Sequence, residues 1–192
     1  MDAKVKPSKK EKVVPTVPKS RDMSVHFTSK SQTWNTPPDF FEKLNKVWKF
    51  EVDTACLEES ALCSEYFTPE TDGLGSSWNR KTCFNNPPYD NIKTWIKKCY
   101  DEYALGATVV QLIPSRTDTK AFHEYAFEYA TAICFIKGRL KFDNPSLPSW
   151  TDDNSHKKSP APFPSCLIIF DDNLTDEKMK VLKHLGTVVR KV

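Results

Sequence analysis

One stretch decides the fold of this 192-residue chain, and it reads Thr82-Cys83-Phe84-Asn85-Asn86-Pro87-Pro88-Tyr89. Its first three residues predict a β-strand, and the strand has to end before the two prolines because neither can donate a hydrogen bond to a neighbouring strand. Asp90 then caps a predicted helix, whose apolar face is formed at helical spacing by Ile92, Trp95, Ile96, Cys99 and Tyr103. A strand that turns directly into a helix indicates an α/β fold.

The segment before this stretch predicts one helix and one short strand. Thr36 is a suitable N-cap and Pro37 suits the first helical position, so we expect a helix of about residues 37–47. Polar and apolar residues then alternate through Lys49–Asp53, which predicts a strand that ends in an acidic residue. The short spacing from Asp53 to Asn86 predicts that this half of the sheet is abbreviated.

The segment after the stretch continues the alternation of strands and helices. Ala107–Ile113 is an almost continuous apolar run, as expected of a strand buried on both faces of a parallel sheet. A helix capped near Thr117 or Asp118 should follow, with inward residues at Phe122, Tyr125, Ala126 and Tyr129. The remaining predicted elements are strands at Thr131–Ile136 and Ser165–Phe170 and a helix at Thr175–Leu185 that ends at Gly186.

Together these elements predict an α/β layer fold with a mainly parallel sheet and an antiparallel final hairpin. We expect a disordered basic arm at residues 1–24, one folded domain at 25–172, and a C-terminal helix and tail at 173–192. A chain of 192 residues leaves little room for a second domain. Residues 143–164 form a polar, proline-rich loop within the domain.

The charge of the chain is concentrated at its N-terminus. There are 28 basic and 25 acidic side chains, a formal net charge of +3. Residues 1–22 contain seven basic and three acidic residues, so this arm carries +4 and the rest of the chain sums to −1. The folded part therefore has no overall positive field, and any contact with nucleic acid there has to come from local basic patches.

The cysteine pattern and the hydropathy exclude several classes of protein. The six cysteines include no Cys-x-x-Cys pair, which predicts free buried thiols and neither a disulfide framework nor a metal site. No apolar run approaches the roughly 18 residues that cross a membrane, and residues 1–20 show no secretory signal. These features predict a soluble cytoplasmic protein without membrane contact.

Asn86, Pro87, Pro88 and Tyr89 are the candidate catalytic residues, because ligands bind where parallel strands end. An aromatic amine is a poor nucleophile, since its lone pair is delocalised into the ring. The amide oxygen of Asn86 and the main-chain oxygen of Pro87 can each accept one amine hydrogen, which favours a lone pair that faces an electrophile. The prolines hold these acceptors in place, and the ring of Tyr89 offers a face for a flipped-out base.

Asn86-Pro87-Pro88-Tyr89 resembles the Asn-Pro-Pro-Tyr signature of amino-group DNA methyltransferases. Further motifs resemble the phage-type DNA adenine-N6 methyltransferase family: Trp34-Asn35-Thr36-Pro37, Asp53-Thr54-Ala55-Cys56, Asp72-Gly73-Leu74 with Trp78, and Leu112-Ile113-Pro114-Ser115-Arg116-Thr117-Asp118-Thr119. The resemblance covers about residues 30–170 and implies a Rossmann-like S-adenosylmethionine-dependent methyltransferase fold. It implies methyl transfer from S-adenosylmethionine to the N6 amine of an adenine flipped out of double-stranded DNA, which would mark or protect DNA as in restriction-modification.

The same resemblance implies which residues bind the cofactor. They are Trp34, Thr36, Pro37, Asp53, Ala55, Asp72 and Asn86. Asp53 would pair with the cofactor's amino group, and Glu58 or Glu59 would bind its ribose hydroxyls. Many relatives have a glycine pair after the first strand, whereas Cys56-Leu57-Glu58 follows Ala55 here. We expect a monomer that needs no metal ion and acts in the host cytoplasm if it is viral.

Four basic residues near the carboxyl edge of the sheet are candidates for contacts with DNA phosphates: Arg116, Lys137, Arg139 and Lys141. Ordinary surface charge is the alternative. The loop at 143–164 is long and polar enough to read base edges, or it is a disordered connector. Two other functions fit the same residues: the same chemistry on adenine in RNA or on N4 of cytosine, and a non-catalytic nucleic-acid-binding protein of the same fold.

Overall fold

The computed structural model describes residues 34–142 and 160–190. The described strands are β1 Val52–Asp53, β2 Glu65–Tyr66, β3 Thr82–Asn85, β4 Thr108–Pro114, β5 Ala132–Ile136, β6 Ser165–Phe170 and β7 Gly186–Arg190. The α-helices are α1 Pro38–Trp48, α2 Ile92–Ala104 and α3 Asp176–Leu185. Shorter helical segments are the 3₁₀ turns Glu58–Ser60 and Tyr89–Asn91 and the π-helical segment Phe122–Phe127.

All seven described strands form one sheet, in the order β2-β1-β3-β4-β6-β5-β7. The pairs β2–β1, β1–β3 and β3–β4 are parallel, whereas β6 is antiparallel to both β4 and β5, and β7 is antiparallel to β5. Strands β1 to β5 therefore share one direction, and β6 and β7 run the other way. This architecture confirms the expected α/β class, with a largely parallel sheet and an antiparallel β5–β6 pair.

Helices cover both faces of the sheet. Alternate residues of β4 divide between the two faces, since Val109 and Ile113 pack towards α2 while Val110 and Leu112 pack towards α1 and α3. Each of these side chains is fully buried, which stabilises the fold by roughly 1.5–3 kcal/mol per side chain. The apolar run of β4 is nearly unbroken because the strand is buried on both faces of the sheet.

The half of the sheet before the Asn-Pro-Pro-Tyr stretch is short, as the spacing predicted. Strands β1 and β2 have two residues each. The predicted strand at Lys49–Asp53 is wrong in its first half, because Lys49 adopts a left-handed conformation (φ 57°) and ends α1. The next residue, Phe50, donates its N–H to the side chain of Asn45 instead of a neighbouring strand.

Two predicted helix caps are wrong. Pro37 is the N-cap of α1 and its carbonyl accepts from the N–H groups of Phe40 and Phe41, both at 3.0 Å. The Thr36 hydroxyl instead accepts a hydrogen bond from the side chain of Asn86. Asp90 lies inside a 3₁₀ turn, and α2 begins two residues later without a side-chain cap. By contrast, α3 does begin with a side-chain cap, since the Thr175 hydroxyl accepts from the N–H of Lys178.

The helix after β4 contains a π-helical segment, Phe122–Phe127, that the 3.6-residue spacing did not predict. A π-turn has more residues per turn, so positions at α-helical spacing do not stay on one face. Phe122 and Ala126 are buried as expected, Tyr125 is half-buried, and Tyr129 is exposed and stacks on Tyr100.

Strand β7 was also missed, because Gly186 reads as a helix stop. A Cβ on this residue would lie 1.9 Å from the carbonyl oxygen of Phe135, so the glycine permits β7 to approach β5 directly after α3 ends. Most of β7 is exposed or half-buried, and its sequence therefore lacks a strong apolar signal.

Several predictions concern segments of which little is described. The basic arm at 1–24 lies outside the described residues, as does most of the loop at 143–164.

All six cysteines are free thiols, and four of them are buried. Among the described residues, no helix is both long and apolar enough to cross a membrane.

Candidate active site

A cleft of about 290 Å³ opens at the carboxyl ends of β1 and β3. Its walls come from the segment before α1, the residues after β1, the loop that follows β2, and the turn after β3. The cleft contains eight of the predicted site residues: Trp34, Thr36, Asp53, Ala55, Asp72, Asn86, Pro87 and Pro88. Residues far apart in the chain meet here because the parallel strands β1 and β3 end side by side.

The side chain of Asn86 connects the turn after β3 to the segment before α1. Its amide nitrogen donates to the carbonyl oxygen of Trp34 at 2.6 Å and to the hydroxyl of Thr36 at 2.8 Å. Its amide oxygen accepts from the hydroxyl of Tyr89 at 3.0 Å. Both amide hydrogens are therefore used, which determines how the group is oriented. The oxygen keeps a second lone pair, which remains free for another donor.

Tyr89 is not an open platform. Only 6% of the residue is exposed, and its ring packs edge-on against Phe163 with the centroids 5.4 Å apart. Phe163 also contacts Trp34 at 5.2 Å, and Phe142 completes this aromatic cluster of four rings. Burial raises the pKa of the Tyr89 phenol above its usual range, so the group stays a neutral hydrogen-bond donor to Asn86. A base could reach the Tyr89 ring only if Phe163 moved.

Asp53 is a buried carboxyl group in the floor of the cleft, with 2% of the residue exposed. It accepts from the N–H of Leu62 at 3.1 Å and from that of Ala55 at 3.5 Å, so it holds the loop between them. Burial raises its pKa from 3.8 to about 6, although these two N–H groups oppose the shift. The neutral form is thus favoured on folding, and the stability it contributes below pH 3.8 is lost as the pH rises through 6.

Two half-buried thiols lie beside Asp53. Burial and the charge of Asp53 raise the pKa of Cys63 to about 12, and they raise that of Cys56 further. Both thiols are therefore protonated at neutral pH. Because the thiolate is the reactive form, neither cysteine is a nucleophile in this cleft.

A row of buried polar side chains runs behind the cleft, across three adjacent strands. Asn85 donates to the hydroxyl of Thr54 at 2.8 Å and accepts from the side chain of Gln111 at 2.9 Å. All three residues are fully buried. The Thr54 hydroxyl in turn donates to the carbonyl of Phe84. These bonds join the ends of β1 and β3, so the residues that follow both strands are held at a set separation.

Gly73 lets the loop after β2 close onto the end of β1. A Cβ at this position would lie only 2.2 Å from the carbonyl oxygen of Thr54. The Gly73 carbonyl accepts from the indole N–H of Trp78 at 2.9 Å, and Trp78 is 1% exposed.

Asp72 is exposed at the rim of the cleft, with a left-handed backbone (φ 48°). Its carboxylate accepts from the N–H of Leu74 at 3.1 Å. Glu58 and Glu59 lie on the exposed 3₁₀ turn and do not line the cleft. Glu58 instead accepts from the hydroxyl of Tyr66 at 3.4 Å. Asp72 therefore lies at the candidate cofactor cleft, whereas Glu58 and Glu59 do not.

The predicted basic residues are not in the cleft. Lys137, Arg139 and Lys141 line a neighbouring groove together with Pro37, which was expected to bind the cofactor. Arg116 is exposed and lines neither cavity. No group of three or more metal-binding side chains is found within the described parts of the chain.

Several residues of the cleft had not been singled out from the sequence. They are mostly apolar and include Leu57, Leu62, Phe67 and Trp95. Phe67 directly follows β2, and an aromatic residue after a strand was its only signal. The others come from irregular segments or from the helix α2, where apolar residues carry no mark of a binding site.

The cleft thus lies where a parallel strand ends in the Asn-Pro-Pro-Tyr motif, and comparison with known proteins gives the class of protein, an adenine-N6 DNA methyltransferase. The sequence model described as DNA N-6-adenine-methyltransferase (Dam) matches residues 24–191, and the chain belongs to that family. A relative from Haemophilus phage HP1 (strain HP1c1), named DNA N-6-adenine-methyltransferase, is 26% identical over 146 residues, which cover 74% of this chain and 80% of the relative. A relative of the same name from Escherichia phage T1 is 29% identical over 112 residues, 57% of this chain and 47% of the relative.

These matches confirm the resemblance to phage DNA adenine-N6 methyltransferases and the prediction of a DNA adenine methyltransferase. The family description names adenine in DNA. The alternatives of RNA and of cytosine N4 find no support in the matches, and neither does a non-catalytic binding protein.

Replacing Gly73 by alanine should displace the loop after β2 from β1, because the added methyl group meets backbone that cannot turn away. We expect Gly73→Ala to lower the free energy of unfolding by about 1–3 kcal/mol, measured by urea denaturation. Gly75→Ala is the matched control, since its methyl group would meet only the end of the Asp72 side chain. Equal stability of the two variants would contradict this role of Gly73.

Proposed function

We propose that this chain transfers a methyl group from S-adenosylmethionine to the N6 amine of an adenine flipped out of double-stranded DNA, on a Rossmann-like methyltransferase fold. The observation that carries the proposal is the fixed carboxamide of Asn86. Its orientation leaves a free lone pair on the oxygen at the cleft. Family membership supplies adenine in DNA as the substrate class.

The chemistry of the cleft fits S-adenosylmethionine. Asp53 is a buried acid in the floor of the cleft and is suited to the cofactor's ammonium group. Apolar residues such as Phe67 and Leu62 could pack against its adenine ring. Asp72 lies at the rim, where it could accept hydrogen bonds from the same ring.

Asn86 and Pro87 would prepare the target amine. When bound, the cofactor supplies an electrophilic methyl group. The oxygen of Asn86 accepts one hydrogen of the amine and the main-chain oxygen of Pro87 accepts the other, so the nitrogen's lone pair is directed into the cleft. The Asn86 carboxamide is already held in one orientation before substrate binds, which is the condition for effective electrostatic stabilisation of a transition state. No general base is needed before the attack, because the proton becomes acidic once the nitrogen is cationic.

Tyr89 would play two roles. Its hydroxyl helps to orient Asn86 through the hydrogen bond to the amide oxygen. Its ring would carry the flipped base, which requires Phe163 to leave the place it has in this structure.

The direct test is methyl transfer from labelled S-adenosylmethionine to unmethylated duplex DNA, with the product nucleoside identified as N6-methyladenine. Asn86→Ala should lower kcat by about 100- to 1000-fold, because its contact with the amine is made mainly in the transition state. Cofactor affinity should change little. Asn91→Ala is the control, since Asn91 is exposed and lies outside the cleft.

Absence of transfer by the native chain to any DNA would contradict the proposed function. A wild-type rate in Asn86→Ala, together with transfer by the native chain, would contradict only the role of Asn86. A product methylated on cytosine would show that the cleft selects a different amine.

Cofactor binding should depend on pH through Asp53. The pKa of its carboxyl group is raised to about 6 by burial, and only the ionised form attracts the cofactor's ammonium group. We therefore expect affinity for S-adenosylmethionine to fall by about tenfold as the pH drops from 7 to 5, measured by titration calorimetry. Asp53→Asn should bind weakly at both pH values. A native affinity that does not change over this range would contradict the pairing of Asp53 with the cofactor.

A further inference from the structure

A second cavity, of about 520 Å³, lies between the start of α1, the residues that follow β5 and the end of α3. It is lined by Lys43, Lys137, Arg139, Lys141 and His184, which we call the basic groove. The remaining lining residues are Pro37, Asp39, Phe40, Ile136, Leu140 and Leu185. Four permanent cations and one histidine thus face a single carboxylate, although the charge of residues 23–192 sums to only −1.

The cations of the basic groove are available to a ligand. All five basic side chains are exposed. Four lysines elsewhere (Lys81, Lys97, Lys98 and Lys178) form salt bridges with carboxylates. Within residues 34–142 and 160–190, no such salt bridge involves a residue of the groove. Arg139 donates one guanidinium N–H to the carbonyl of Ala161 at 3.3 Å, which leaves most of its donors free.

The basic groove adjoins the cleft at two points. Pro37 lines the groove, and the residue before it, Thr36, lines the cleft and bonds to Asn86. On the other side, Phe142 directly follows Lys141 and packs against Trp34 of the cleft, with the ring centroids 5.8 Å apart. A chain of phosphates in the groove would therefore pass next to the place where the amine has to react.

Lys43 and His184 could not be assigned to this surface from the sequence. They belong to α1 and α3, which are separated by more than a hundred residues and meet on one face of the sheet. The three basic residues after β5 come from a third element. The groove is a product of tertiary packing, with each wall contributing at least one cation.

We infer that the basic groove binds the phosphates of the DNA strand that carries the target adenine, and that Lys43 and His184 belong to this phosphate site. The inference rests on the proposed function for the identity of the strand. Phosphate oxygens accept hydrogen bonds from lysine, arginine and histidine and supply affinity without reading sequence. Arg116, on a different element outside the groove, has no part in this site.

The test is the salt dependence of binding of the full-length protein to a fluorescently labelled 20-base-pair duplex, followed by anisotropy from about 50 to 200 mM salt. Each lost phosphate contact lowers the slope of log K against log salt by about 0.9. The double variant Lys43→Ala/His184→Ala should bind more weakly and lose about one to two units of slope. Lys43→Arg should bind as the native chain does.

Lys97→Ala is the control, because Lys97 is exposed on α2, which packs on the opposite face of the sheet. It should keep the native slope. An unchanged slope in the double variant would overturn the inference, as would an equal loss in the control or tighter binding of an RNA duplex of the same sequence. Methyl transfer is measured on the same preparations. If the native chain transfers no methyl group, the proposed function fails. If it does transfer and the double variant keeps the native slope, only the phosphate site fails.

Discussion

The carboxamide of Asn86 is the interaction on which the architecture of the site depends. It links the turn after β3 to the segment before α1 through Trp34 and Thr36, and to its own motif through Tyr89. Since both amide hydrogens are used, the group cannot rotate without losing hydrogen bonds in a half-buried place, which is costly. The orientation that such an acceptor needs is therefore present before any ligand binds.

The wall of the cleft that is formed by the loop after β2 depends on α2. The loop that carries Gly73 is held by Trp78, whose main-chain N–H donates to the buried carboxylate of Glu102 at 2.9 Å. Glu102 is 3% exposed and is neutralised by Lys98 one helical turn away, which also donates to the carbonyl of Ser76. A buried carboxylate left without its partner is strongly destabilising. The helix that follows the Asn-Pro-Pro-Tyr motif thus also positions the loop on the other side of the cleft.

Most of the architecture could be predicted because its signals are local. Helices α2 and α3, strand β6 and the short first half of the sheet follow from periodicity and spacing. The errors occur where tertiary contacts outweigh a local preference: Thr36 could cap α1, but its hydroxyl accepts from Asn86, and Gly186 ends a helix and also begins β7. The order of the motifs along the chain was enough to predict that Asp53 and Asn86 lie in one cleft. The covering of Tyr89 by Phe163 depends on packing that no local pattern records.

The most direct measurement of the central claim is the single-turnover rate of methyl transfer in Thr36→Val and Thr36→Ser. Valine keeps the shape of the buried side chain but removes the oxygen that accepts from Asn86, whereas serine keeps it. If Thr36 positions Asn86, the valine variant loses about 10- to 100-fold in rate at saturating cofactor, and the serine variant stays near the native rate. A valine variant as fast as the native chain would contradict the account.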